Sequence, residues 1–189
     1  NRITDGYGLT EKFIDKFIEE KIHLLITVDC GISCAKEIKK AFDNRIDIII
    51  TDHHTIPEKF PEEAVAIIHP KVAESRYPFK ELTGSGVAFK LAHALISRYL
   101  LENERKDYLD NLTDLASLGT VADLGVLKGE NRYIVKKGLE MLSKTHWRGL
   151  QQIIDLAGIS GRELEAHDIG YKIAPRINAA GRIGDPYIA

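Results

Sequence analysis

The chain has 189 residues, 44% of them apolar and 29% charged, a balance that suits a globular protein with one substantial core and excludes a disordered or fibrous one. Its formal net charge of −2 carries no global basic signature, so nucleic-acid binding has to be argued locally, and no stretch approaches the roughly 20 apolar residues of a membrane-spanning helix. Without a signal-peptide pattern at the start, a cytoplasmic location is the default, and Cys30 and Cys34, which lack a second pair for a zinc tetrad, are expected as reduced thiols.

The chain opens directly in a loop-like Thr4-Asp5-Gly6-Tyr7-Gly8, and it ends just after Asp185-Pro186, which reads as a helix start. Both ends therefore look cut, and a piece of a longer protein is expected. The first helix is predicted to begin at Thr10 as N-cap, with Leu9 and Ile14 as a hydrophobic staple and Phe13, Phe17 and Ile18 facing inward. Residues 24–28 form a β-rich run ending in Asp29-Cys30-Gly31. Ser33 is placed to cap a helix reaching Phe42, with Ala35, Ile38 and Phe42 at helical spacing, and 46–50 is a second strand that delivers Thr51-Asp52-His53-His54. Strand, helix and strand make a βαβ unit. Its right-handed crossover would set Asp29 and His53 at the same edge of a parallel sheet, close enough to share an ion.

Residues 56–61 read as a loop with two prolines, and 64–68 as a third short strand ending at His69-Pro70, where the sheet stops. From Gly84 the period becomes helical. Val87, Phe89, Leu91, Ala92, Leu95, Ile96 and Tyr99 predict a helix to about Asn103; further helices are predicted over 106–118, 131–142 and 149–157, the last stopped by Gly158. The fold class is thus α/β, a parallel sheet with flanking helices, followed by a helical layer.

Four constellations could carry chemistry. Asp29 with Asp52, His53 and His54 puts hard and borderline metal ligands at strand ends, where α/β folds place their sites; the alternative is turn capping and surface polarity. Residues 116–125 deliver Asp123 among small neighbours that allow close approach to an ion or phosphate, or else form an ordinary helix C-cap. Thr83-Gly84-Ser85-Gly86 is a glycine-bearing helix entry able to offer N–H groups to an anion, though close packing explains it equally. Pro175-Arg176-Ile177-Asn178 with Arg182 could grip a nucleotide backbone or form a structural joint. The lysines Lys36, Lys39, Lys40, Lys136 and Lys137 neither establish nor exclude a polyanionic substrate.

In order along the chain, Asn1-Arg2, Gly6-Tyr7-Gly8-Leu9, Thr27-Val28-Asp29-Cys30-Gly31-Ile32-Ser33, Thr51-Asp52-His53-His54, Gly86-Val87-Ala88-Phe89-Lys90, Gly119-Thr120-Val121-Ala122-Asp123, Gly129-Glu130-Asn131-Arg132 and Pro175-Arg176-Ile177-Asn178-Ala179-Ala180-Gly181-Arg182 resemble the DHH phosphoesterase superfamily. Within it they resemble the RecJ-type single-strand-specific DNA exonucleases. The resemblance implies a DHH domain over residues 1–175, with 176–189 starting the connection to a second lobe. It implies two Mn²⁺ or Mg²⁺ ions, with Asp29 bridging them, His53 and Asp123 ligating one, His54 contacting the scissile phosphate and Asp52 supporting the site. Gly84, Gly86, Arg176, Asn178 and Arg182 are the candidate substrate contacts.

The activity so implied is 5′-to-3′ hydrolysis of single-stranded DNA in repair and recombination, with a helicase and a single-strand-binding protein as partners. A phosphoesterase for short oligonucleotides or small phosphorylated molecules and a silent scaffold of the same fold are the alternatives. The family's upstream Asp-x-Asp pair is absent from these residues, and Asp5 stands in a different context, so this piece alone is expected to bind metal weakly and hydrolyse little. His69 stands where asparagine is expected, which touches only local loop contacts.

Overall fold

The computed structural model describes residues 8–183, with side chains through residue 180. Asn1, Arg2, Asp5, Gly6, Tyr7 and the Asp185-Pro186 pair lie outside the described residues, as does the side chain of Arg182. The described residues form two compact units that divide between Lys80 and Glu81.

The first unit runs α1 (Glu11–Glu19), β1 (Leu24–Val28), α2 (Ala35–Asp43), β2 (Asp47–Thr51) and β3 (Ala66–Ile68). The sheet order is β1-β2-β3 and both pairings are parallel, with Leu24 opposite Asp47 and Val28 opposite Thr51. Ile14, Ile38, Ala41, Ile46, Ile48 and Ile50 make the core, and Leu9, Phe17 and Leu25 pack on it, so the predicted staple and βαβ unit are present. Burying such isoleucines stabilises by about 1.5–3 kcal/mol each before chain entropy is set against it.

Three local expectations need correcting. Thr10 occupies the N-cap of α1 but makes no capping bond, and its hydroxyl is buried without a hydrogen-bond partner. The N-cap of α2 is Cys34 rather than Ser33, because Cys34 N–H turns back to the Gly31 carbonyl at 2.9 Å and the helix begins one residue later. Phe42 is 55% exposed although it shares the face of buried Ile38, four residues earlier, because it lies at the edge of that face in the last turn of the helix. In β1, likewise, Leu25 and Thr27 face the helices, while Leu24, Ile26 and Val28 are exposed on the alternate face.

The second unit is helical: α3 (Gly84–Tyr99), α4 (Glu102–Ala122), α5 (Gly129–Leu142), α6 (Arg148–Leu156), α7 (Ala166–Asp168), a π-helical turn (Ile169–Ile173) and α8 (Ala174–Ile183). Its core gathers Leu118, Leu142, Leu150, Ile154, Ile159, Leu164, Ile169 and Ile173. The close approach of α4 and α5 requires Gly138, where a Cβ would stand 2.6 Å from the Thr113 carbonyl oxygen. Buried Asn131 ties the start of α5 to the chain by donating to the carbonyls of Glu81 at 2.6 Å and Val126 at 3.1 Å. Among the described residues, no helix is long and apolar enough to cross a membrane.

α4 extends well beyond the predicted 106–118 at both ends, and the helical run through residues 166–183 is an addition to the sequence reading. Gly170 and Pro175 both lie within that run. The wide π-turn ends at Ile173 and α8 starts at Ala174, so Pro175 sits in the first turn of α8, where a residue with no N–H to give is tolerated.

Candidate metal centre

The ligand-bearing loops are the last rungs of the sheet. Asp29 N–H still bonds the Thr51 carbonyl at 2.9 Å, and Asp52 N–H bonds the Ile68 carbonyl at 3.2 Å, so each loop leaves its strand with its backbone fixed. The buried Thr51 hydroxyl donates to the Thr27 carbonyl at 2.7 Å and Thr27 donates to the Cys30 carbonyl at 2.7 Å. Asp29 itself is left-handed, φ +61, a conformation Asp tolerates better than most residues. Gly31 follows at φ +114, where a Cβ would also meet the Thr27 hydroxyl oxygen at 2.7 Å. Only glycine fits that turn.

This scaffold brings Asp29, His53 and His54 together. Their ligand atoms, one from each side chain, all lie within 4.8 Å of one another. His53 Nε2 stands 3.1 Å from Asp29 Oδ1. Two donors each about 2.1 Å from one ion and at right angles to each other would be about 3.0 Å apart, so the observed spacing fits a shared octahedral cation. Carboxylate oxygen with imidazole nitrogen is also the donor chemistry that suits Mn²⁺, while Mg²⁺ leans more on carboxylates.

Asp52 is almost wholly buried, and its carboxylate is bonded to Ile32, His53 and His54. Oδ2 accepts from Ile32 N–H at 3.0 Å; Oδ1 accepts from the N–H of His53 at 2.7 Å and of His54 at 3.2 Å, and lies 2.6 Å from His54 Nδ1. Burial by itself would raise its pKa, but these hydrogen bonds outweigh it and hold the carboxyl below the ordinary value. An ionised Asp52 fixes the orientation of the His54 ring through Nδ1, as carboxylates do behind metal-site histidines.

From sequence, His69 is expected to touch only local loop contacts. The structure makes it a strut: buried at the end of β3, it donates from Nε2 to the His54 carbonyl at 3.0 Å and accepts Lys71 N–H on Nδ1 at 3.0 Å. That pair of bonds requires the neutral Nε2–H tautomer, and burial lowers the pKa in the same direction. Lys71 Nζ adds a 2.8 Å bond to the His53 carbonyl. The available signal was position, a polar ring at the end of a third parallel strand. Cys30 and Cys34 are free thiols, and burial, first, pushes both up in pKa and away from the thiolate form.

The remaining candidates belong to the second unit. Asp123 is the C-cap of α4, exposed, with its N–H on the Gly119 carbonyl at 2.9 Å. Gly84 and Gly86 are buried in the first turn of α3, and Gly86 N–H donates to the capping Thr83 hydroxyl at 3.3 Å. Arg176 is exposed on α8, its Nη1 donating to the Lys172 carbonyl at 2.6 Å, and Asn178 on the same helix is exposed as well.

A family model, that of the DHH family N-terminal domain, matches residues 4–120. The chain belongs to the DHH family. This DHH-family chain is 44% identical over 190 residues to the single-stranded-DNA-specific exonuclease RecJ of Bacillus subtilis (strain 168), a match covering 100% of the chain and 23% of that relative. A crystal structure of exonuclease RecJ bound to manganese superposes with a TM-score of 0.83 at 36% identity, covering 98% of this chain and 45% of that one. RecJ from Thermus thermophilus in complex with Mg²⁺ matches with a TM-score of 0.59 at 34% identity, covering 87% and 21%. The DHH chain spans 23% to 33% of the length of the first curated relatives it matches.

Proposed function

We propose that the chain is the metal-binding part of a 5′-to-3′ exonuclease that hydrolyses phosphodiester bonds of single-stranded DNA with two Mn²⁺ or Mg²⁺ ions. The observation that carries this reading is the convergence of Asp29, His53 and His54 at the end of a parallel sheet. Similarity to proteins named single-stranded-DNA-specific exonucleases, two of them solved with manganese or magnesium, supports it. Asp29 is proposed to bridge the ions and His53 and Asp123 to ligate one of them. With Nδ1 of His54 turned to Asp52, Nε2 is the atom proposed to meet the scissile phosphate. Divalent ions held there would supply an activated water, polarise the phosphoryl oxygens and steady the leaving 3′ oxygen.

Arg176, Asn178 and Arg182 are proposed as substrate contacts. Gly84 and Gly86 we assign to packing and capping, since both are buried and Gly86 N–H is engaged by Thr83. We also propose that residues 1–175 act as one DHH domain, with 176–189 leading into a second lobe; the family match across the division between the units supports this. A cytoplasmic setting, a role in repair and recombination, and helicase and single-strand-binding partners complete the proposal.

The test uses the intact protein. Long single strands labelled at the 3′ end, duplexes, and two- to five-nucleotide pieces are incubated with Mn²⁺. Stepwise mononucleotide release from the 5′ ends of long single strands, abolished in Asp123→Ala, is the expected result. Preference for the short pieces would move the substrate to short oligonucleotides, and no hydrolysis of any of them would make the protein a scaffold.

A further inference from the structure

A cleft of about 760 Å³ opens in the second unit between the end of α4 and the π-turn with α8, a size typical of small-molecule sites. Val121 and Leu124 line one side; His167, Tyr171, Pro175 and Asn178 line the other. Three features of it suit the binding of a flat ligand. Tyr171 is 73% exposed between Ile169 and Ile173, both fully buried, so the π-turn aims an aromatic ring outward from a well-packed anchor. Such turns are rare and frequently mark functional sites. The His167 ring stacks with it at 4.5 Å and 22°, which stiffens the tyrosine without covering the cleft. Leu124 is 89% exposed and held at φ +56, a left-handed conformation that a leucine avoids.

A flat, pre-stiffened ring, an apolar side chain across from it and an amide at the rim describe a place for a planar heteroaromatic group. We propose that this cleft holds one nucleobase of the single strand, stacked on Tyr171, with Asn178 at the base edge. The inference rests on the reading that single-stranded DNA is the substrate. Stacking on an aromatic side chain tolerates any base, which suits an enzyme that must accept each nucleotide in turn. Asn178 can both donate and accept, so its amide adapts to different base edges. Because Leu124 directly follows Asp123, the base would be held by the same helix end that carries a proposed metal ligand.

The experiment measures binding of 3′-labelled oligothymidylate to the intact protein by fluorescence anisotropy, in EDTA so that no turnover occurs. A series of strands carries a single abasic residue at each position in turn. Expected for the wild type is about tenfold weaker binding when one particular position is abasic. Tyr171→Ala should bind the unmodified strand about tenfold more weakly and lose nothing further at that position, whereas Tyr171→Phe should behave as wild type. Binding by Tyr171→Ala within twofold of wild type overturns the proposal. So does a Tyr171→Ala effect that multiplies with the abasic effect at every position, or a Tyr171→Phe variant as weak as alanine, because a fold defect or a hydroxyl contact would then be responsible. Manganese-dependent digestion of long single strands by the wild type separates the two failures: digestion without coupling sinks only the nucleobase cleft, and no digestion sinks the substrate reading with it.

Discussion

Replacing Asp52 by asparagine keeps the shape of the side chain and removes its charge and one acceptor oxygen. Oδ1 serves three donors and Oδ2 one, so the amide keeps its oxygen on the Oδ1 side and turns its NH₂ toward Ile32 N–H. Two buried donors then face each other across a former 3.0 Å bond, which costs about 1–3 kcal/mol of stability. The bond from His53 N–H, which positions a proposed ligand, changes from a charged to a neutral acceptor, a loss of about 1–1.5 kcal/mol, roughly tenfold in the affinity of an ion that the His53 ring would hold. Isothermal titration of the intact protein with Mn²⁺ reads the second effect, and urea denaturation of the metal-free protein reads the first. Asp52→Asn should bind Mn²⁺ about tenfold more weakly and show a lower urea midpoint. An unchanged midpoint together with Mn²⁺ affinity within twofold of wild type would refute the positioning role.

His69→Ala should loosen the His53-His54 loop and weaken Mn²⁺ binding several-fold, with His69→Asn recovering part of it because an amide can also donate and accept; equal behaviour of the two variants in the same titration contradicts the strut. Gly138→Ala should destabilise by about 2–3 kcal/mol in urea, since the new Cβ meets the Thr113 carbonyl oxygen, which belongs to backbone and cannot swing away. Asp168 is buried and paired with Arg162 at 2.6 Å and Lys172 at 3.0 Å, and these bonds, that of Arg162 first, hold its pKa far below the usual carboxylate range. A depressed folded-state pKa contributes stability that is complete above the unfolded value of about 4 and is lost as pH falls toward the folded value. Asp168→Asn should therefore be less stable than wild type by about 2 kcal/mol at pH 7, with the gap shrinking below pH 4; a gap independent of pH between 7 and 3 contradicts the pairing.

The parts legible in the sequence were those governed by short-range pattern. Leu24 to Val28 and Ile46 to Ile50 are β-rich runs separated by one amphipathic helix, and that arrangement alone placed Asp29 and His53 at a common edge. What escaped was governed by contacts distant in sequence or by geometry with no compositional mark. Cys34 displaced Ser33 as the cap because a turn at Gly31 set the helix start, and Phe42, although at helical spacing from Ile38, is left exposed at the edge of the apolar face in the last turn. The π-turn defeated the period rule, since an extra residue in one turn shifts every face that follows it. His69 gave no sign of its bond to the His54 carbonyl, 15 residues away.

The distribution of burial across the site would let these loops hold an ion with precision. Asp29 and His54 are 43% and 48% exposed at their side chains, whereas Thr51, Asp52 and His69 are nearly inaccessible and hydrogen-bonded on every side that the ligands depend on. Side chains as open as those of Asp29 and His54 leave room for water and substrate, but their positions cannot then be fixed by packing. Rigidity has to come from the polar groups behind them, and a buried polar group is sharply positioned because leaving any of its bonds unmade is costly. The two layers should therefore respond differently to substitution. Asp29→Asn should lower cation affinity with little change in the urea midpoint, while changes at Asp52 or Thr51 should lower both together, so a plot of affinity against stability across such variants should separate into two branches at the boundary between exposed ligand and buried support.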